Sequence, residues 1–118
     1  MNSTSDDALL FDTDHLATYT LGDRQLEKEV LQMFVEQSAQ SVERLHEAAS
    51  IEEWRDAAHS LKGSARAIGA FLFAATAEKL EKVANSLEEL DKPSLMILLQ
   101  SDLEKTKAAI MSHLDNGQ

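Results

Sequence analysis

The chain has 118 residues, 43% of them hydrophobic, with one Pro, four Gly and no Cys; this is enough for one domain with a core, too little for two ordinary ones, and offers no thiolates for disulfides or metal. Eleven basic against 21 acidic residues leave a formal net charge of -10, a field that repels polyanions and sets nucleic acid aside as a partner. No stretch approaches the ~20 apolar residues of a membrane span, and "MNSTSDDALLFD" lacks the basic region and apolar run of a leader, so a cytoplasmic protein with no membrane partner is expected, in keeping with the missing cysteines.

Residues 1–10 are small and polar and read as a flexible tail, leaving 11–118 as a single domain. A short helix is expected through "DTDHLATYTL", with Asp12 or Thr13 as N-cap and a stop at Gly22. Asp23 caps the next helix, which runs to about Ala49. There Leu26, Val30, Met33, Phe34, Leu45 and Ala48 recur at threes and fours, the spacing of an apolar stripe. Gln37 and Ser41 interrupt that stripe, either where the face becomes wet or where it meets another polar group.

Ser50 with Glu53 three positions on forms a capping box for a third helix through Trp54, Ala58, Leu61 and Ala65 to Ile68, and Gly69 stops it. A fourth helix, about Ala70 to Leu90, has its seam at Phe73, Ala77, Leu80, Ala84 and Leu87. "LDKPS" breaks it. Pro93, near a helix start, opens a fifth through Leu95, Leu99, Leu103, Thr106, Ile110 and Leu114. No segment alternates with period two between hairpin turns. Four long helices joined by short connections, each with one apolar stripe, bury those stripes most simply as an all-α, up-down four-helix bundle, with the short first helix covering one end. The stripes are consumed within one bundle, so a monomer is expected.

The third helix carries the chemistry. With Ile51 at zero and about 100° per residue, the apolar positions Trp54, Ala58, Leu61, Ala65 and Ile68 fall between about 260° and 340°. His59 falls near 80°, roughly 140° from the centre of that face, and is expected to be exposed. Gly63 falls near 120°, about opposite the core, so the usual reason for a helical glycine, close approach of a neighbouring helix, does not apply. Arg55, Lys62 and Arg66 fall near 40°, 20° and 60°, which groups three cations about one outward imidazole in a strongly acidic chain. Gly63 then leaves bare helix surface beside His59, where another macromolecule can bring a reactive group up to the ring.

"AAHSLKGSARAIGA", residues 57–70, resembles the signature of histidine-containing phosphotransfer (HPt) domains: an alanine-rich approach, the histidine, a small residue, Leu, Lys, Gly, and a return to Ala, Ile and Gly. "LGD" followed by an apolar-periodic helix containing Phe34 is similar to the part of the family before the motif, so the likeness covers about residues 12 to 114. The resemblance implies a four-helix bundle with an extra N-terminal helix. It also implies a phosphorelay carrier, not an independent enzyme, that accepts a phosphoryl group on histidine from a receiver-domain aspartyl phosphate and passes it to another receiver. His59 takes the acceptor role, Lys62 that of the cation near the phosphoryl oxygens, and Gly63 that of the clearance residue; Arg55 and Arg66 are the flanking candidates. The partners implied are response-regulator receivers, with a hybrid sensor kinase a further one. No cofactor of its own is expected, and magnesium belongs to the receiver. Family members often place another polar side chain near the histidine from the following helix, and Glu81 is the candidate here, an awkward neighbour for a phosphoryl group.

Phosphoryl transfer asks for an in-line nucleophile and neutralised oxygens, and an imidazole with an ordinary pKa near 6.5 is largely neutral at cellular pH without an activating base. Other motifs are incomplete. "HEAAS" lacks the second histidine of H-E-x-x-H, with Ser50 in its place, so His46 is no zinc ligand. His15 and His113 have no partner spacing and read as surface residues. "LKGS" lacks the upstream glycine of a phosphate-binding loop. The acceptor helix of a sensor kinase normally follows histidine with an acidic residue and then a proline, whereas Ser60 follows here and no proline precedes Pro93. The alternative of another class is a helical adaptor that binds receivers or other proteins without carrying phosphate.

Overall fold

The computed structural model describes residues 10–84 and 91–116. From Asp12 on, the described residues form five helices: α1 (Thr13–Thr20), α2 (Arg24–Glu47), α3 (Ile51–Ile68), α4 (Phe71–Val83) and α5 (Asp91–Asn116). The expected tail, apart from Leu10, and the end of the expected fourth helix, with its last seam position Leu87 and its boundary Leu90, lie outside the described residues. Among the described residues there is no strand, and no helix is long and apolar enough to cross a membrane.

The boundaries follow local chemistry. Asp12 accepts from the backbone N–H groups of Asp14 and His15, Asp23 from that of Leu26, and Ser50 from that of Glu53, each satisfying donors that a helix start leaves unpaired. Glu53 reaches back to the N–H of Ala49 at 3.3 Å, closing the box one residue before the cap. At the other end of α3, Gly69 has φ of 88°, its N–H bonds the carbonyl of Arg66, and that of Ala70 bonds Ala65. This is a Schellman stop, whose left-handed residue is normally glycine. Here a second constraint acts: a Cβ on Gly69 would stand 2.6 Å from the Asp12 carbonyl oxygen. The Asp12 N–H donates to the Gly69 carbonyl at 2.9 Å, so the start of α1 is seated on the end of α3.

α3 is the central rod, packed most extensively on α4 and α2, while α5 lies mainly on α4 and touches α2 more lightly, which closes the four-helix bundle. Leu61, Ala65 and Ile68 of α3 meet a core that includes Phe34, Phe73, Leu80, Leu99 and Ile110. Phe34 and Phe73 stack edge to face at 5.9 Å. Fully burying a side chain such as Phe73 contributes about 1.5 to 3 kcal/mol, so the shared core, rather than helix propensity, holds the rods together.

Two sequence expectations are corrected. The buried stripe of α2 is Leu31, Phe34, Ser38, Ser41, Val42 and Leu45, whereas Leu26 and Met33 are 41% and 53% exposed. Serines hold two core positions because their hydroxyls are satisfied locally: Ser38 donates to the carbonyl of Val35 and Ser41 accepts from Arg44. His15 and His113 are not solvated surface residues either. His15 packs edge-on against Phe71, and His113 against Phe11 while it bonds Glu27, tying the α5 end to α2. Asp102 is buried and accepts from Thr76 at 2.6 Å, a polar link between α4 and α5.

The two glycines of α3 and its stop should respond oppositely to alanine. Gly69→Ala meets both a left-handed backbone and a clash, and should lower the unfolding free energy by about 2 kcal/mol or more. Gly63 is helical, with no atom within 4 Å of where a Cβ would stand, so Gly63→Ala should raise it by about 0.5 to 1 kcal/mol. Urea unfolding of both variants checks the pair.

Candidate functional site

Once α3 has turned its alanine and leucine face inward, His59 stands outward, its side chain 67% exposed. It lies between two different walls. On the α4 side, Nδ1 of His59 is 3.0 Å from Oε2 of Glu81, and Oε1 of the same carboxylate is 2.6 Å from Nζ of Lys62. One carboxylate therefore grips the ring and the ammonium together. Glu81 is held below the ordinary carboxylate range, chiefly by its hydrogen bond to Lys62, against which partial burial pulls upward, with the bond to His59 and the two charges adding to the lowering. Ionised, it only accepts hydrogen bonds. Nδ1 of His59 is therefore the donor in this contact, which in the neutral ring leaves the lone pair on Nε2.

On the α2 side an open groove of about 650 Å³ runs along the seam, with Gln37, Gln40, Ser41 and Arg44 facing His59, Ser60, Gly63 and Ser64. Its floor at Gly63 is bare, since no atom lies within 4 Å of where a Cβ would be. Arg44 is steadied by the Ser41 hydroxyl at 2.6 Å.

The sequence-derived candidates thus occupy different settings. His59 and Gly63 share the groove. Lys62, with only 16% of its side chain exposed, is folded down onto Glu81, and Arg66 pairs with Glu78 at 3.5 Å. To the cations expected around the imidazole the structure adds their partners: α4 supplies a carboxylate for each of these two. Arg55 is half-buried one turn before His59 and is also engaged in an interaction. Of the opposite wall the sequence marked only Gln37 and Ser41, as breaks in the α2 stripe; Arg44 and Gln40 lie on another helix and match no motif. The signal available was their common face on α2, broken by small Ser41. Among the described residues no group of three or more His, Cys, Asp or Glu is placed to hold a metal ion.

Fold and site together are a helical bundle that sets an exposed imidazole, bonded through Nδ1, beside an open groove. The Hpt domain family pattern matches residues 29–109, well over half the chain, and the chain belongs to the Hpt domain family. Membership places it among the histidine phosphotransfer carriers of phosphorelays, domains that work with receivers and are not enzymes in the ordinary sense. Among solved structures it is similar to histidine-containing phosphotransfer protein B (HptB) from Pseudomonas aeruginosa PAO1, at 24% identity over 90% of this chain and 95% of that one, with a TM-score of 0.81, a likeness of fold. No curated protein matches the chain.

The Glu81 bridge should show in the pH dependence of stability. A carboxylate whose folded pKa is depressed stabilises the fold above its unfolded pKa, and that contribution disappears as pH falls through the folded value. Replacing it by Glu81→Gln should lower the unfolding free energy at neutral pH by about 1 kcal/mol or less. The gap should be flat near neutrality and close in acid, below the ordinary carboxylate range, in urea titrations at a series of pH values. A gap of the same size at every pH would show that charge has no part in it.

Proposed function

We propose that His59 is the phosphoacceptor of a cytoplasmic, monomeric relay domain that takes a phosphoryl group from the aspartyl phosphate of one receiver and passes it to the aspartate of another. The observation that carries the reading is the pairing, on one helix face, of an exposed imidazole oriented through Nδ1 with a bare groove at Gly63. Nε2 attacks phosphorus in line, the bond to the aspartate oxygen breaks, and the aspartate leaves as a carboxylate. Positioning and charge neutralisation do the work in such a transfer. The receiver's magnesium covers most of the phosphoryl charge, and this chain contributes cations at short range.

Lys62 is one of these, on the same helix three residues beyond His59. Its ammonium now neutralises Glu81 and can share its other hydrogens with phosphoryl oxygens, because a lysine carries three donors. Arg44 across the groove, with Arg55 and Arg66 on α3, supplies the outer positive field. Gly63 gives the incoming domain room. A side chain there would stand between its phosphoaspartate and the ring.

Incubated with phosphorylated receivers, the protein should gain acid-labile, base-stable label, and His59→Gln should gain none; equal labelling of that variant would refute the assignment and favour an adaptor that never carries phosphate. Gly63→Leu should keep the helical circular dichroism and slow transfer by about tenfold or more, the scale of a misplaced near-attack geometry. Unchanged transfer kinetics in that variant would remove the clearance role.

A further inference from the structure

The cations near His59 are not equally committed. Lys62 is held by Glu81, Arg66 by Glu78, and Arg55 is engaged as well. Arg44, across the groove on α2, is in no ion pair among the described residues, and its guanidinium bonds the Ser41 hydroxyl. Resting on the assignment of His59 as acceptor, we infer that Arg44 is a phosphoryl-binding residue: its guanidinium takes oxygens of the phosphoryl group carried on His59 and so sets how firmly this domain retains that group.

The arm is aimed by its own helix. Ser41 stands one turn before Arg44 and is 5% exposed, and its hydroxyl accepts from Nη2 of Arg44 at 2.6 Å. That bond draws the guanidinium back along α2 into the groove, where His59, Ser60 and Gly63 belong to the facing wall. Glu47, Glu53 and Asp56 line the neighbouring cavity that Arg44 also borders, so the guanidinium stands between a group of carboxylates and the imidazole. An arginine carries several N–H donors in a planar fork, a shape that matches two oxygens of a phosphoryl group. Ser41 takes one of those donors, and the others have no partner among the described residues. Phosphorylation adds negative charge to a site whose nearest lysine already balances Glu81, and Arg44 is the groove cation with donors to spare. The open groove, about 650 Å³, leaves room for the group and for the arm to close on it.

No bond of the transfer changes. On entry the N–P bond forms at His59 as the P–O bond of the donor breaks and its electron pair goes to the aspartate; on exit the recipient's aspartate takes the group by the reverse of these events. Arg44 makes hydrogen bonds to oxygens that are present in one state of the protein and absent in the other. A contact made in one state alone shifts the equilibrium by its own strength, so Arg44 moves the end point of transfer toward this domain. A contact with the docked receiver would act otherwise: it changes how fast the end point is reached and leaves the end point where it was.

That difference decides the experiment. Label is exchanged between this protein and a receiver that phosphorylates it, both dilute, until the ratio of labelled forms is constant. Arg44→Gln should move that ratio toward the receiver by about fivefold to tenfold, the scale of a charge-assisted pair at an exposed site. Arg44→Lys should recover only part of the loss, because an ammonium lacks the fork. In a receiver-free arm, potassium phosphoramidate labels the imidazole directly, with His59→Gln as the control for the other histidines. Nitrogen-edited NMR should then show the Arg44 guanidinium signals moving when His59 is labelled and standing still in His59→Gln. Slower exchange with an unchanged end ratio would make Arg44 a docking residue and overturn its role at the phosphoryl group, and so would guanidinium signals indifferent to labelling. Either result leaves the acceptor assignment in place, whereas failure of the parent's His59 to take label would remove both.

Discussion

The structure depends on α3 being wanted by two neighbours at once. Ala57, Ala58 and Ala65 are fully buried on that helix, small enough for α2 and α4 to lie against it on both flanks while Leu61 and Ile68 fill the core between them. A rod covered on two sides has only a narrow strip left for water. His59 and Gly63 occupy that strip, and the same packing that hides the alanines aims the imidazole away from the protein and fixes which helices stand to either side of it.

Those two sides differ chemically, and the difference gives the site its logic. Toward α4 there are carboxylates, Glu81 and Glu78, which engage Lys62 and Arg66 and hold the inner nitrogen of His59. Toward α2 the groove is lined by amides, hydroxyls and Arg44, with no carboxylate among its lining residues. In a chain with a formal net charge of -10 that lining stands out, and the nearest acids, Glu47, Glu53 and Asp56, line the neighbouring cavity that Arg44 also borders. The charged clamp and the open groove thus lie on different sides of one ring: α4 binds Nδ1 and α2 leaves open space.

The helices were legible in the chain because their signals are local. Asp12, Asp23 and Ser50 cap where short polar side chains reach their own backbone, Gly69 ends α3 where a left-handed residue is required, and the seams of α3, α4 and α5 repeat with the helical period. The α2 seam was harder to read. Ser38 and Ser41 look like surface residues by polarity, yet they are buried because each hydroxyl is satisfied within its own helix or by Arg44. Met33 and Leu26 look like core and are not. His15 and His113 likewise depend on rings and a carboxylate from distant parts of the chain, with His113 and Glu27 lying 86 positions apart.

The sequence by itself determined that the protein is a helical bundle and that His59 and Gly63 face outward on α3, because a 3.6-residue period converts spacing into direction. It also located the histidine motif, whose residues are contiguous. Tertiary structure alone decided what that ring touches. The Glu81 carboxylate, 22 residues away, is brought to Nδ1 by the register between α3 and α4, and that register is set by how side chains of two helices interlock, which the periodicity of either helix taken separately does not specify.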